Sequence, residues 1–213
     1  MNAADYTFTD GAQASVEARR RMATLLFSTS YLEYCSVANK LGMPCVQLQQ
    51  RLNIEPFLPY IRVLADETKR FAGFYTAATM AELAAVETDR PYRDEMQALD
   101  DAYEDFVAAH THADDYFVAS LAIEPRDRGR GLFHQAFDDL VARARQAGSP
   151  RVVLAVWESN AALALYRRKG MGTLARFDAA WPLFFDRLQL LALPLADAPA
   201  TQRFNATSRG ETA

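Results

Sequence analysis

The chain has 213 residues, of which half are apolar and 23% are charged, and its formal net charge is −4. This length and composition are typical of one globular domain with a substantial core. The net acidity argues against a broad nucleic-acid surface, because phosphate neutralisation needs clustered lysine and arginine. No stretch reaches the roughly 18 uninterrupted apolar residues that a membrane span needs.

Cysteine usage and the N-terminal sequence favour a cytoplasmic location. Cys35 and Cys45 are the only cysteines, and two thiols provide neither a disulfide framework nor a zinc knuckle. They are expected to be small packing residues. Three consecutive arginines precede the apolar run "MATLLF", but this run is too short for a secretory signal. We therefore predict a cytoplasmic protein without a membrane segment.

The first part of the chain is predicted to be helical and then to form a β-hairpin. A flexible N-terminus at residues 1–11 precedes an apolar helical pattern from Ala12 to about Ser28. Helical patterns follow in "YLEYCSVANKLG" and, after the Gly-Met-Pro break, in "VQLQQRLN". The β-rich runs "YIRVLA" and "FAGFYTA", joined by the polar turn "DETKR", then predict the hairpin.

The second part alternates helices and strands. Residues 81–113 return to a helical pattern with a break at Asp89-Arg90-Pro91. The elements predicted after it are a strand (115–123), a helix (131–148), an apolar strand (151–157), a helix in "NAALALYRRKG", and two strands in "MGTLARFD" and "PLFFDRLQLLALPL". This order predicts an α/β fold with a mixed sheet, in a domain spanning 12–197. Residues 198–213 are predicted to be a flexible tail.

An anion site is predicted where the strand at 115–123 gives way to a helix. The segment "EPRDRGRGLF" carries three arginines and two glycines just before the helix. The first turn of a helix has unpaired N–H groups and a partial positive charge, and glycine lets an anion approach closely. These features indicate a phosphate or pyrophosphate site, although a solvated arginine-rich loop would have the same sequence. No Walker motif is present, and a Rossmann fingerprint would need a third glycine.

Two motifs together resemble the GNAT superfamily of acetyl-CoA-dependent N-acetyltransferases. The first is the triplet Leu121-Ala122-Ile123, then Pro125, then Arg126-Asp127-Arg128-Gly129-Arg130-Gly131. The second is a strand followed by Asn160, Ala162, Leu165-Tyr166 and Gly170-Met171. The resemblance covers about residues 15–195, and the predicted hairpin is similar to the family's second and third strands. It implies a mixed, mostly antiparallel sheet with splayed central parallel strands, flanked by helices.

The resemblance implies acetyl-CoA as co-substrate and no metal. Its pantetheine amides would pair with the backbone of Leu121, Ala122 and Ile123, and its pyrophosphate would bind the amides of Arg128, Gly129, Arg130, Gly131 and Leu132. Arg126 or Arg128 would add charge, and Arg167 or Arg168 would reach the 3′-phosphate. The spacing from Asn160 to Tyr166 is one residue shorter than is usual in the family, so either Ser159 or Asn160 would contact the co-substrate. Phe133 stands where the family often has a small residue.

The chemistry implied is direct attack of an amine on the thioester. Tyr166 resembles the family's general acid for the leaving thiolate, although helical spacing would also suit a core tyrosine. For proton removal from the amine, Ser120 is the expected catalytic partner of Tyr166, since Ser120, with Asp114 and Asp115 at the mouth of the same strand, could order a water. Asp66, Glu67 and Tyr75 in the hairpin are alternatives, as is a relay through water alone.

Several alternatives stay open at this point. The run "HTHADD", with His110 and His112, is similar to a metallo-hydrolase motif but lacks the further histidines that such a site needs. A non-catalytic acyl-CoA sensor, another acyl group and an oxygen acceptor are alternatives to N-acetyl transfer. The expected partners are acetyl-CoA and an amine of a small molecule or peptide, with no nucleic acid, in a monomer or homodimer. The acceptor depends on the hairpin, the first helices and residues 81–113, which carry no recognisable motif.

Overall fold

A computed structural model describes residues 6–50, 54–88, 93–177 and 186–195. The strands described are β1 (Thr7–Asp10), β2 (Ile61–Ala65), β3 (Phe71–Thr79), β4 (Tyr116–Ile123), β5 (Arg151–Trp157), β6 (Gly172–Phe177) and β7 (Leu188–Pro194). The α-helices described are α1 (Val16–Thr29), α2 (Tyr31–Leu41), α3 (Cys45–Gln50), α4 (Met80–Ala84), α5 (Arg93–His110), α6 (Leu132–Gln146) and α7 (Ala162–Arg168). Short 3-10 turns lie at Gly11–Gln13, Glu55–Tyr60 and Pro125–Asp127. Among the described residues, no helix is both long and apolar enough to cross a membrane.

The strands form one seven-stranded sheet in the order β1-β2-β3-β4-β5-β7-β6. The β4–β5 pair is parallel, and every other described pair is antiparallel. The parallel pairing extends only over Tyr116–Val118 with Val152–Leu154. Beyond these residues β4 and β5 diverge, so the mixed α/β fold with splayed central strands is confirmed.

Helices cover both faces of the sheet. On one face, α6 and α7 pack over the middle of the sheet in the largest apolar cluster. On the other face, α1 and the turn at Glu55–Tyr60 cover β2 to β4, while α4 and α5 cover β4 to β7. The two coverings of this second face leave a gap between them, above the point where β4 and β5 separate.

A β-bulge lies in β4 beside this gap. Thr76 is opposite Ser120 and Ala77 is opposite Val118, so Ala119 has no partner in β3. A bulge breaks the simple alternation of side chains along a strand. As a result, Ser120 shares the face of Ala122, which packs against the α1 cluster. The bulge therefore directs Ser120 toward the gap between the helices.

The structure confirms the hairpin, the helices predicted at 131–148 and 160–170, and the strands predicted after residue 114. The last of these strands is described over Leu188–Pro194, and residues 182–185 of its prediction lie outside the described residues. The prediction that residues 1–11 are flexible is wrong for Thr7–Asp10, which pairs with β2 along its whole length. Arg62 of β2 fixes this edge strand by binding the carboxylate of Asp10 and the carbonyl of Phe8. The break at 89–91 and the tail at 198–213 lie outside the described residues.

Candidate functional site

A groove of about 1950 Å³ opens where β4 and β5 diverge. Its floor is formed by the C-terminal halves of the two strands, residues 119–123 and 154–157. One end is bounded by the loop before α6 and by the start of α7, and the other by α1, α4 and α5. A site for one small ligand usually has about 300–1,000 Å³. The groove therefore has room for two ligands placed end to end.

The loop before α6 presents its backbone N–H groups at one end of the groove. Gly129 and Gly131 have φ angles of 75° and 84°, in the left-handed region that favours glycine. Within the described part of the chain, no protein group accepts a hydrogen bond from the N–H groups of 129–133. The helix start adds its partial positive charge. This loop has the donors and the charge that a phosphate group requires.

A buried carboxylate, Asp127, organises the basic loop. Arg70 of the hairpin donates to both of its oxygens, at 2.8 and 2.9 Å, and Arg126 and Arg130 lie at 3.6 and 3.5 Å. The hydrogen bonds from Arg70, with help from the other arginines, lower the pKa of Asp127 below its ordinary range. The apparent basic patch is thus a cluster of arginines around one anion. No local sequence pattern indicates the partnership with Arg70, because Arg70 is distant from Asp127 along the chain.

The arginines of the loop have different positions. Arg128 lines the groove, and its Nε donates to the carbonyl of Ile123 at 3.1 Å. Arg126 instead lines a neighbouring pocket of about 410 Å³ together with Arg21 and Lys69. Neither Arg126 nor Arg130 is among the described residues that line the groove. Of the three predicted arginines, the structure brings only Arg128 to it.

Tyr166 of α7 reaches the groove from the face of the sheet that carries α6, which is opposite to the face covered by α1, α4 and α5. Its ring packs against Phe133 and Phe137 of α6, with centroids 5.5 and 6.4 Å away. Burial raises the pKa of its phenol to about 12. No hydrogen-bond partner of its hydroxyl is found in the described part of the chain, although the residue lines the groove. The large Phe133 is accommodated as the packing partner of this tyrosine.

Ser159 and Asn160 both line the groove at the start of α7, but they are held differently. Asp186 accepts hydrogen bonds from both the backbone N–H and the hydroxyl of Ser159, at 3.0 and 2.5 Å. Although partial burial opposes the shift, these bonds lower the pKa of Asp186. The side-chain oxygen of Asn160 accepts from the N–H of Ala162 at 2.9 Å. Ser159 is therefore bound to the neighbouring loop, whereas the side-chain NH2 of Asn160 donates to no group among the described residues.

Of the residues considered for proton removal, Ser120 is the one that lines the groove. Its hydroxyl donates to the Oγ1 of Thr76 at 2.9 Å. Asp115 is fully buried and forms a two-point ion pair with Arg151, at 2.7 Å for each oxygen. This carboxylate joins the start of β4 to the start of β5 and has no access to the groove.

The remaining candidates also lie away from the groove. Asp66 holds the hairpin turn, because its carboxylate accepts from Thr68 and Arg70. Tyr75 donates to Asp139 of α6 at 2.5 Å, and burial together with this carboxylate raises the pKa of its phenol. Asp114 and Glu67 are exposed. None of these four is among the described lining residues.

The histidine-containing run "HTHADD" does not form a metal site among the described residues. A ring nitrogen of His110 lies 2.7 Å from the carbonyl of Phe106 in the preceding turn. Among the described residues, no group of three or more histidine, cysteine or acidic side chains is placed to hold a metal ion.

The Sγ atoms of Cys35 and Cys45 lie 3.1 Å apart, and both thiols are free and half-buried. Each thiol therefore has the other as its partner between α2 and α3.

Comparisons with known proteins show the family and the fold of this chain. The acetyltransferase (GNAT) family model matches residues 46–172, which is more than half of the chain. No curated protein sequence matches this chain.

Solved structures share the fold at low sequence identity. The ribosomal-protein-S18-alanine N-acetyltransferase from Escherichia coli is 16% identical with a TM-score of 0.52, over 94% of this chain and 100% of its own. Ard1 from Thermoplasma volcanium is 11% identical with a TM-score of 0.54, over 89% of this chain and 97% of its own. A structure described as an acetyltransferase is 16% identical with a TM-score of 0.56, over 88% of this chain and 98% of its own.

Proposed function

Because this chain belongs to the GNAT acetyltransferase family, we propose that it transfers the acetyl group of acetyl-CoA to a primary amine by direct attack. The observation that carries the proposal is the divergence of β4 and β5 beside a loop of free backbone N–H groups. Tyr166 approaches the same groove from the other face. These features supply an anion site, an open strand edge and a proton donor in one cleft.

The residues present fit acetyl-CoA. The segment 119–123 of β4 has no strand partner on the β5 side in the described sheet, so its backbone can pair with the amides of an extended ligand. The N–H groups of 129–133 can bind a pyrophosphate. When bound, acetyl-CoA supplies the thioester whose acetyl group is transferred. The left-handed conformations of Gly129 and Gly131 keep the loop in the form that presents these donors.

Side chains at the rim add contacts to the co-substrate in this proposal. Arg128 provides positive charge beside the loop. The free amide of Asn160, rather than Ser159, hydrogen-bonds the ligand at the start of α7. Arg167 already donates to the carbonyl of Met171 and the amide oxygen of Gln189, whereas Arg168 is exposed with no partner among the described residues. This difference favours Arg168 for the 3′-phosphate.

Tyr166 is proposed to stabilise the leaving thiolate. A phenol with a pKa of about 12 keeps its proton throughout the neutral range. Thiols ordinarily have a pKa of about 8.5, well below that of this phenol. Tyr166 therefore acts mainly as a hydrogen-bond donor while negative charge develops on sulfur, which still stabilises the transition state.

Ser120 is proposed to position the water that removes the amine proton. Alkylammonium groups have pKa values of about 10, as lysine does, so the acceptor must lose a proton before it attacks. A serine hydroxyl is a poor base by itself. The Ser120 hydroxyl, which donates to buried Thr76, instead lies at the floor of the groove next to the bulge at Ala119, where it can hold a water molecule.

The test is release of free CoA thiol from acetyl-CoA in the presence of a panel of primary amines. We expect turnover by the wild type and a decrease of about 100-fold in kcat for Tyr166→Phe, with the Kd for acetyl-CoA unchanged. Tyr60→Phe, outside the groove, is the matched control and should retain full activity.

Two results would contradict the proposal. Tight binding of acetyl-CoA without thiol release for any amine would favour the non-catalytic sensor. Failure to bind acetyl-CoA at millimolar concentration would exclude both functions.

A further inference from the structure

The half of the groove beyond Ser120 is walled by two groups of helices, and both walls are mainly apolar. Side chains from the first wall include Leu26 of α1, Val37 of α2 and Phe57 of the turn at Glu55–Tyr60. Side chains from the second wall include Leu83 of α4 and Val107 of α5. We call this part of the groove the acceptor chamber, since the loop before α6 occupies the opposite end.

The second wall is an addition to the sheet rather than a requirement of it. β3 and β4 are antiparallel neighbours, and such strands can be joined by a two-residue turn. Here their connection instead contains α4 and α5. These helices pack against β4 to β7 and leave apolar side chains facing the chamber. The connection therefore has the position and composition of a substrate-binding wall.

The described side chains that line the chamber include two acidic groups and no basic one. Asp100 and Glu104 lie one turn apart on α5, and both line the groove. Among the described lining residues, the only basic side chains are Arg128 and His134, which belong to the loop before α6 and to α6 itself. A cationic ligand is therefore favoured at this end, and a carboxylate on the ligand is disfavoured.

We propose that the acceptor is a primary amine carried on an aromatic or aliphatic hydrocarbon body that has no other charge. The inference rests on the function proposed above and specifies its substrate class. The apolar walls bind the hydrocarbon body by removing it from water. The carboxylates of α5 attract the ammonium form during entry, and Ser120 lies at the junction with the co-substrate end, where the neutral amine attacks. Polyamines carry further positive charges and amino acids carry a carboxylate, so neither class fits this description.

The first experiment compares amines at saturating acetyl-CoA. In the series from propylamine to hexylamine, we expect kcat/KM to rise about four-fold for each added methylene group. Phenethylamine should exceed ethanolamine, glycine and spermidine. A flat or falling series, or a preference for spermidine, would overturn the inference while leaving acetyl transfer intact. Absence of turnover with every amine, despite acetyl-CoA binding, would overturn the proposed function as well.

The second experiment introduces a positive charge into the wall. Leu83→Lys should raise the KM for hexylamine by about ten-fold or more, because it repels the ammonium group and removes apolar surface. Ala81→Lys is the matched control, since Ala81 lies in the same helix but is exposed and does not line the groove. The KM for acetyl-CoA should stay unchanged in both variants, which also reports correct folding. An equal effect of the two substitutions on hexylamine would refute a specific wall at Leu83.

Discussion

In the proposed function, the two ends of the groove recognise their ligands by different means. The end before α6 uses backbone N–H groups, whose direction is set by Gly129 and Gly131. The acceptor chamber uses side chains from α1, α2, α4, α5 and the turn at Glu55–Tyr60, which lie far apart along the chain. Backbone recognition leaves a compact motif in the sequence, whereas a wall of side chains leaves none. If the two ends act separately, substitutions at one should leave the other ligand's binding unchanged.

The largest effect is expected from Gly131→Val. A β-branched residue at a φ of 84° is strained by about 1–3 kcal/mol, and relief of this strain would turn the N–H groups away from the groove. The Kd for acetyl-CoA, measured by calorimetry, should rise about 100-fold, because the strain and the lost hydrogen bonds add. The KM for the amine should not change at saturating acetyl-CoA.

Gly148→Val provides the control, because Gly148 also has a positive φ, of 72°, but lies past the other end of α6. This variant should lose stability yet keep its affinity for acetyl-CoA. Equal loss of affinity in the two variants would mean that helix strain, rather than the loop, governs binding.

Asp127→Asn should destabilise the fold by about 2 kcal/mol at pH 7, because it leaves Arg70 without its buried anion. The pKa of Asp127 is lowered in the folded state. Its contribution is therefore fully present above the unfolded pKa of about 3.9 and is lost as pH falls through the folded value. Urea unfolding should show a difference from wild type that persists at pH 5–7 and shrinks in more acidic solution.

The control for this variant is Asp138→Asn, which removes the exposed ion pair between Asp138 and Lys169. A change within about 0.5 kcal/mol is expected there. A difference between Asp127→Asn and wild type that grew as pH fell would contradict the assigned role of Asp127.

Ser120→Ala should lower kcat about five-fold, since loss of one hydroxyl weakens the hold on a water that can still reach the groove. If Ser120 assists proton removal, the pH profile of kcat/KM should shift to more alkaline pH in Ser120→Ala. A role in packing alone would leave the profile unshifted. Thr76→Ser keeps the hydroxyl partner and should retain activity. An unchanged kcat for Ser120→Ala would assign proton removal to another group that lines the chamber.

The smallest effect is expected from Arg168→Ala, which should raise the KM for acetyl-CoA about three-fold, and less in high salt. The dephospho form of acetyl-CoA, which lacks the 3′-phosphate, should bind wild type and variant equally. Arg167→Ala, in contrast, should reduce stability through its bonds to Met171 and Gln189. A larger KM effect for Arg167→Ala would reverse the assignment.

Much of the fold could be predicted because its signals are local. The hairpin was recognisable from two β-rich runs and a polar turn, and α6 from its apolar stripe, which includes Phe137 and Leu140. Strand β1 was not, because a four-residue segment becomes a strand only when β2 offers it hydrogen bonds. Likewise, the sequence places Asp115 near Ser120 as part of a proton-removal site, but its carboxylate is buried beside Arg151 and joins two strands.

The sequence alone determined the glycine loop, the helix that follows it and the tyrosine of α7, since backbone conformation and helical periodicity are properties of neighbouring residues. Only the tertiary structure decided which arginine faces the groove and that Asp127 is held by Arg70. It also decided the composition of the acceptor chamber. These features depend on contacts between residues distant in the chain, and burial and ion pairing arise only when the elements have packed together.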